Sequence, residues 1–267
     1  MRLPLVPTVM ALASMDALDA SPGSDDVAVL VPAAGQGRRL GGTPKQFRRL
    51  GERPLLLQVL LLFEHHPAVG HAVVAAPSGQ VDEVAARLRG QGLSALTAVV
   101  EGGASRQASV RHALRAVPNA VEVVLVHDAA RPFVSAAQVQ SVVQAVRDEG
   151  AASLAVPVAD TLREGANGEL GETVPRDNLY RMQTPQGARR AWLETAHRYA
   201  ATERVSATDD VALIRRIGHD VQWVRGHRRN FKITTPEDWA LAQRLWPTWQ
   251  DDPDRLRLAE TGSSPSA

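Results

Sequence analysis

A hydrophobic run ending at Val31 passes into Pro32-Ala33-Ala34-Gly35-Gln36-Gly37-Arg38-Arg39-Leu40, and Gly41-Gly42-Thr43-Pro44-Lys45-Gln46 follows at once. The glycines bare backbone N–H groups at a strand end, while Arg38, Arg39 and Lys45 gather positive charge beside them. Together these features suit a phosphate group. The spacing excludes two common solutions. A dinucleotide fingerprint needs G-x-G-x-x-G, but the glycine after Gly35 and Gly37 is Gly41, one position late, and no window supplies the G-x-x-x-x-G-K-[ST] of a P-loop. Cations so near the glycines suit a triphosphate that loses pyrophosphate, because charge develops during such a transfer. The plainer alternative is a glycine turn with solvated basic side chains.

Other groups of residues add to this loop. His127-Asp128-Ala129-Ala130-Arg131-Pro132 follows the apolar run 121–126, which puts an acid and a base at the carboxyl end of a strand, where open α/β sheets bind ligands. Asp128 suits a substrate hydroxyl or a magnesium ion riding on nucleotide phosphates; the competing role is a turn or helix cap. His127 is expected to pack beside the strand end. In Gly102-Gly103-Ala104-Ser105-Arg106-Gln107-Ala108-Ser109, Gly103 admits a planar base and Ser109 reaches its edge, whereas Ser105 reads equally as a helix cap and Arg106 as a surface charge. Asp160-Thr161, Pro175-Arg176, Thr184-Pro185-Gln186, Thr208-Asp209-Asp210 and Asn230-Phe231-Lys232-Ile233-Thr234 together suggest a second anion pocket for a phosphorylated co-substrate.

These residues need elements to position them. Strand-like runs at 27–31, 71–76, 96–100, 121–127, 152–157 and 221–224 alternate with helical patterns at 55–65, 80–89, 105–116, 136–148, 188–199, 209–217 and 236–245. This is the βαβ rhythm of a largely parallel sheet. The polar, glycine-bearing stretch 159–184 breaks that rhythm and reads as an extended arm that covers a site or grips a partner. Residues 1–26 read as a disordered extension, with Met10 or Met15 as alternative starts, and 249–267 as a disordered tail; 27–248 form one domain.

Composition narrows the function classes. With 44% hydrophobic and 22% charged residues the chain is an ordinary globular protein, and Lys+Arg 30 against Asp+Glu 29 gives no reason to expect nucleic acid or an anionic membrane as partner. The absence of cysteine excludes disulfide frameworks and thiol nucleophiles and fits the cytoplasm. The eight histidines lack metal-ligand spacing. The longest apolar run, 54–63, is too short to span a bilayer.

Taken in order, Pro32-Ala33-Ala34-Gly35-x-Gly37-x-Arg39, Pro44-Lys45-Gln46, Gly102-Gly103-x-x-Arg106-x-x-Ser109-Val110, Val126-His127-Asp128-Ala129-Ala130-Arg131-Pro132, Pro157-x-x-Asp160-Thr161, Thr184-Pro185-Gln186, Thr208-Asp209 and Lys232-Ile233-Thr234 closely resemble the 2-C-methyl-D-erythritol 4-phosphate cytidylyltransferase family of non-mevalonate isoprenoid synthesis. The resemblance implies a Rossmann-like three-layer nucleotidyltransferase fold with a mostly parallel sheet and an extended β-arm for dimerisation. It also implies transfer of CMP from CTP, with Mg2+ on the triphosphate and pyrophosphate released. By motif position, Arg39, Lys45, Arg176 and Lys232 would be catalytic. Pro32, Ala33, Ala34, Gly35, Gly37, Gly103, Arg106 and Ser109 would bind CTP, and Asp128, Ala129, Arg131, Thr161, Thr184 and Thr208 the phosphorylated polyol. Thr161 and Arg176 would serve the partner's site in a homodimer joined through the arm. The loop between Leu40 and Lys45 is slightly shorter than in some relatives. Alternative readings are a cytidylyltransferase for another polyol phosphate, such as ribitol 5-phosphate, and a non-catalytic nucleotide-binding module on the same fold.

Overall fold

The computed structural model describes residues 26–35, 41 and 43–258. Its strands are β1 (Val27–Pro32), β2 (Arg49–Leu50), β3 (Arg53–Pro54), β4 (His71–Ala76), β5 (Leu96–Glu101), β6 (Val123–Val126), β7 (Ala151–Pro157), β8 (Leu162–Ala166), β9 (Glu169–Val174), β10 (Tyr180–Arg189) and β11 (Gln222–Arg225). The helices are α1 (Leu55–Glu64), α2 (Val81–Leu88), α3 (Arg106–Leu114), α4 (Ala136–Glu149), α5 (Arg190–Thr202), α6 (Asp210–Arg216) and α7 (Pro236–Gln250).

The main sheet has the strand order β11-β7-β10-β6-β1-β4-β5. All neighbours pair in parallel except β10, which runs antiparallel to both β6 and β7. Strand β1 shows why two helical layers form. Val27, Val29 and Val31 face a core shared with α1, α2 and α4, while Ala28 and Leu30 face a second core with α3, α5 and α6. A parallel strand covered on both faces carries apolar residues without alternation. Helix α1 is buried along nearly its whole length, which explains its almost uninterrupted leucine sequence. A third cluster, with Leu50, Leu55, Phe133, Ile233, Trp246 and Trp249, seats α7 against β2, the start of α1 and the segment that follows β6.

The helix ends follow their sequence signals. Ser135 and Gln138 close a capping box at the start of α4, and Gly150 ends it at φ 90°. Thr235 and Asp238 do the same for α7, with Pro236 in its first turn.

Three expectations change. The expected arm 159–184 contains the antiparallel hairpin β8–β9, turned by Asn167 and Gly168, but residues from Tyr180 onward belong to the main sheet as β10. Helix α5 correspondingly starts at Arg190 rather than at 188. The last helix runs past 245 to Gln250, Trp249 is buried, and a 3-10 turn spans Pro253–Arg255, so 249–255 belong to the fold and not to a tail. The expected extension 1–26, apart from Asp26, and the remaining tail 259–267 lie outside the described residues.

Candidate active site

Chain order along the sheet fixes where a ligand enters. From β1 the chain steps outward through β4 to β5, then crosses to β6 on the other side of β1. Strands β1 and β6 therefore flank a topological switch point, and their carboxyl ends leave a crevice between diverging loops. A cleft of about 930 Å3 opens there, lined by residues 32–35 after β1, 102–106 and Ser109 after β5, and 128–130 after β6, together with Lys45 and Lys232.

The glycine wall is shaped by close packing. A Cβ on Gly102 would overlap that of Ala34 and lie 2.9 Å from the Ala76 carbonyl oxygen, so only glycine lets the two loops touch. A Cβ on Gly103 would overlap that of Ala108. Ser105 caps α3, its hydroxyl accepting from Ala108 N at 3.1 Å. Ser109 is buried, accepts from Gly103 N at 3.0 Å and donates to the Ser105 carbonyl at 2.9 Å. Its hydroxyl hydrogen therefore holds the loop, which leaves it an acceptor role toward a ligand. Gln46 is the residue the motif reading undervalued. Its amide donates to the carbonyls of Ala33 at 2.7 Å and Gly35 at 3.0 Å, tethering the glycine loop to the 3-10 turn that carries Lys45. Pro-Lys-Gln adjacency was the available signal.

The other end of the cleft is a charge network. Asp128 accepts from Arg106 Nε at 2.9 Å and pairs with Lys232 Nζ at 2.8 Å. Burial favours the neutral acid, but Arg106 and Lys232 outweigh it and hold the Asp128 carboxyl well below the usual carboxylate range. Arg106 is not a surface charge: its Nη1 also donates to the buried Asp210 at 2.7 Å. Gln186 fixes Asp210 by accepting from its backbone N at 2.9 Å, and His197 lies 3.2 Å from the same carboxylate. Sequence reading favoured Thr208 in that segment. Thr208 is exposed before α6, Asp209 is the helix cap, and Asp210 turns inward.

Arg131 and Thr184 stand behind the cleft rather than in its lining. Arg131 donates to the carbonyls of Asn230 at 2.7 Å and Met182 at 3.2 Å, tying the Lys232 segment to β10. The Thr184 hydroxyl accepts from Asp128 N at 3.1 Å and donates to His127 Nδ1 at 3.2 Å, while His127 Nε2 donates to the Arg131 carbonyl at 3.0 Å. Burial lowers the His127 pKa to about 4, so the imidazole is neutral, and with its Nε2–H given to a carbonyl its Nδ1 is left to accept from Thr184. His127 is thus a packed structural residue, as expected from sequence. Thr161 and Arg176 belong to the arm region, where Arg176 donates to the Ala159 carbonyl, and they do not line their own chain's cleft. Gly37 and Arg39 lie outside the described residues.

An α/β sheet whose switch point opens onto a glycine wall and two lysines is built to hold a nucleotide by its phosphates. The comparisons with known proteins narrow that reading. The sequence profile of IspD, 2-C-methyl-D-erythritol 4-phosphate cytidylyltransferase, matches residues 27–246. A cytidylyltransferase of that name from Salinibacter ruber is 71% identical over 238 residues, covering 89% of this chain and 100% of that protein. One from Frankia casuarinae is 45% identical over 240 residues, covering 89% and 87%. The crystal structure of the Thermus thermophilus enzyme superposes with a TM-score of 0.71 at 40% identity, covering 83% of this chain and 99% of that one. The chain belongs to the 2-C-methyl-D-erythritol 4-phosphate cytidylyltransferase family, whose members carry out CTP-dependent cytidylyl transfer in isoprenoid precursor synthesis.

Proposed function

We propose that this chain holds CTP along its glycine wall and 2-C-methyl-D-erythritol 4-phosphate at the Asp128–Lys232 end. It joins them into 4-diphosphocytidyl-2-C-methyl-D-erythritol. One observation carries the two-pocket reading: Lys45 Nζ donates to the Ile233 carbonyl at 2.8 Å, so a lysine from the glycine-loop side adjoins the segment bearing Lys232. A phosphate oxygen of the polyol attacks the α-phosphorus of CTP, a new P–O bond forms, and the bond to the bridging oxygen breaks to release pyrophosphate. Negative charge grows on the α-phosphoryl oxygens and the leaving group, and Lys45, with Arg39 by motif position, neutralises it. Cytosine rests against Pro32, Ala33, Ala34, Gly35 and Gly103, with Ser109 presenting an acceptor. Asp128, ionised throughout the neutral range, accepts polyol hydroxyls, and Lys232 grips the 4-phosphate.

The donor set does not form a cage for magnesium. Among the described residues no three His, Asp or Glu side chains cluster to hold a metal, and the one carboxylate lining the cleft, Asp128, already meets Arg106 and Lys232. The divalent cation accordingly belongs to the nucleotide's phosphates and enters with CTP. Thr161, Arg176 and Thr208 complete the polyol-phosphate pocket by family position, the first two supplied by a second copy through the exposed arm. No helix among the described residues is long and apolar enough to cross a membrane, and the biosynthetic role suits the cytoplasm.

The test is pyrophosphate release with CTP and Mg2+, comparing 2-C-methyl-D-erythritol 4-phosphate with ribitol 5-phosphate. Turnover of the first alone is expected. Preference for the second would keep the chemistry and change the substrate, and silence with both would leave a nucleotide-binding module.

A further inference from the structure

The matched family segment ends at Trp246, but the fold continues through Gln250 into the 3-10 turn Pro253–Arg255. This continuation meets the backs of the two segments that carry Asp128 and Lys232. From the Lys232 side, Arg229 Nη1 donates to Asp252 Oδ2 at 2.9 Å, and its guanidinium lies 4.6 Å from the Trp249 ring. From the Asp128 side, the Pro132 carbonyl accepts from Trp249 Nε1 at 3.2 Å. Phe133 and Phe231 stack with centroids 5.3 Å apart, and Trp246 meets Phe133 edge-on at 6.0 Å, so the residue after Pro132 and the residue before Lys232 share one aromatic seat. On the far side of Lys232, Ile233 N donates to the Ala130 carbonyl at 2.9 Å.

Lys232 therefore projects from a backbone held at both flanks. A lysine is a point charge on a flexible stem, so its aim depends on where its backbone is fixed. Misplacement by about 1 Å can cost a reaction about a hundredfold. We infer that Trp249 and Asp252, outside the matched family segment, are positioning residues that set Lys232 against Asp128 for the phosphorylated polyol. The inference rests on the reading of Lys232 as the phosphate grip.

Steady-state kinetics with each substrate varied in turn test it in the full chain, using Asp252→Ala, Asp252→Asn, Trp249→Phe, Lys232→Ala and the Asp252→Ala/Lys232→Ala pair. Asp252→Ala is expected to raise KM for 2-C-methyl-D-erythritol 4-phosphate roughly three- to tenfold, the scale of one ordinary, partly exposed hydrogen bond, with the CTP KM unchanged. Asp252→Asn, which keeps an acceptor for Arg229, should recover most of that loss. Trp249→Phe keeps an aromatic ring beneath Arg229 but removes the bond to Pro132 and part of the buried ring, and should shift the same KM in the same direction. On the Lys232→Ala background, Asp252→Ala should add nothing. Full additivity, equal shifts in both KM values, or silence of Asp252→Ala and Trp249→Phe beside a normal Lys232→Ala response would overturn the inference alone. An unshifted Lys232→Ala would overturn the reading of the site, and the inference with it.

Discussion

Lys45 lies where the glycine loop and the Lys232 segment meet, and its ammonium already contacts a carbonyl of that segment. If it neutralises charge that appears only as pyrophosphate leaves, Lys45→Ala should lower kcat by about a hundredfold or more while CTP KM moves little. Pyrophosphate-release kinetics decide the matter: a raised KM at unchanged kcat would remove Lys45 from the transition state. Two buried histidines make a separate statement about stability. His66 accepts from Ala68 N at 3.2 Å and donates to the Ala136 carbonyl at 3.1 Å, and burial lowers both its pKa and that of His127 from 6.5 to about 4. With the folded pKa below the unfolded one, the unfolded chain takes up protons first as pH falls. Stability should therefore be complete above about pH 6.5 and drain away toward about pH 4, by up to roughly 3 kcal/mol per histidine. The carboxylates of Asp128 and Asp210, whose folded pKa values are lowered, lose their contribution only below that window. Urea midpoints at pH 7.5, 6 and 5 check this. His66→Gln, which keeps the donor to Ala136, should flatten the slope, and parallel slopes for the two proteins would refute the assignment.

Glycines at loop contacts show how elements are aligned around the cleft. Gly102→Ala should destabilise the protein by about 1–3 kcal/mol, because the new methyl meets Ala34 and a carbonyl rather than a yielding side chain, and it should weaken CTP binding by displacing the loop of β1. Gly165→Ala on the hairpin, where the nearest atom would be 3.7 Å away, should stay within about 0.5 kcal/mol. Denaturant midpoints and CTP calorimetry on both variants measure the contrast, and equal effects would deny that the loop contact matters. Such contacts also mark what sequence could reveal. The parallel strands and most helices were legible because each carries an unbroken apolar run or a capped amphipathic stretch. Strand β10 was not. It holds Pro185 and Gly187, residues that argue against a central strand. The register shift between Met182 and Gln186 accommodates the proline, and a Cβ on Gly187 would lie 2.8 Å from both Leu125 and Val146 and force those side chains to shift. At the site, Lys45, Asp128 and Lys232 were legible as charges beside glycines and strand ends. The work of Gln46 and Asp210 was not, because an amide across a loop and a carboxylate 104 residues from its arginine are set by tertiary structure.

In the molecule as a whole, no other element among the described residues covers the β8–β9 hairpin, and Leu170 is 79% exposed at its far end. A two-stranded ribbon is marginal by itself in water, and an exposed apolar tip on one suits a partner surface. If a second copy receives the arm and Arg176 acts in that copy's cleft, the two lesions Lys45→Ala and Arg176→Ala should complement. In a mixed dimer, one cleft then carries both defects while the other pairs an intact Lys45 with an intact Arg176. Random exchange of equal amounts makes half the dimers mixed, so about a quarter of the wild-type activity should return from two nearly inactive proteins. Were Arg176 to serve its own chain, each cleft of the mixed dimer would keep one defect and nothing would return. Sedimentation of the same mixtures separates that outcome from a failure to associate: activity absent in a sample that sediments as a dimer would move Arg176 to its own cleft, whereas a monomer that turns over at full rate would take the arm out of catalysis altogether.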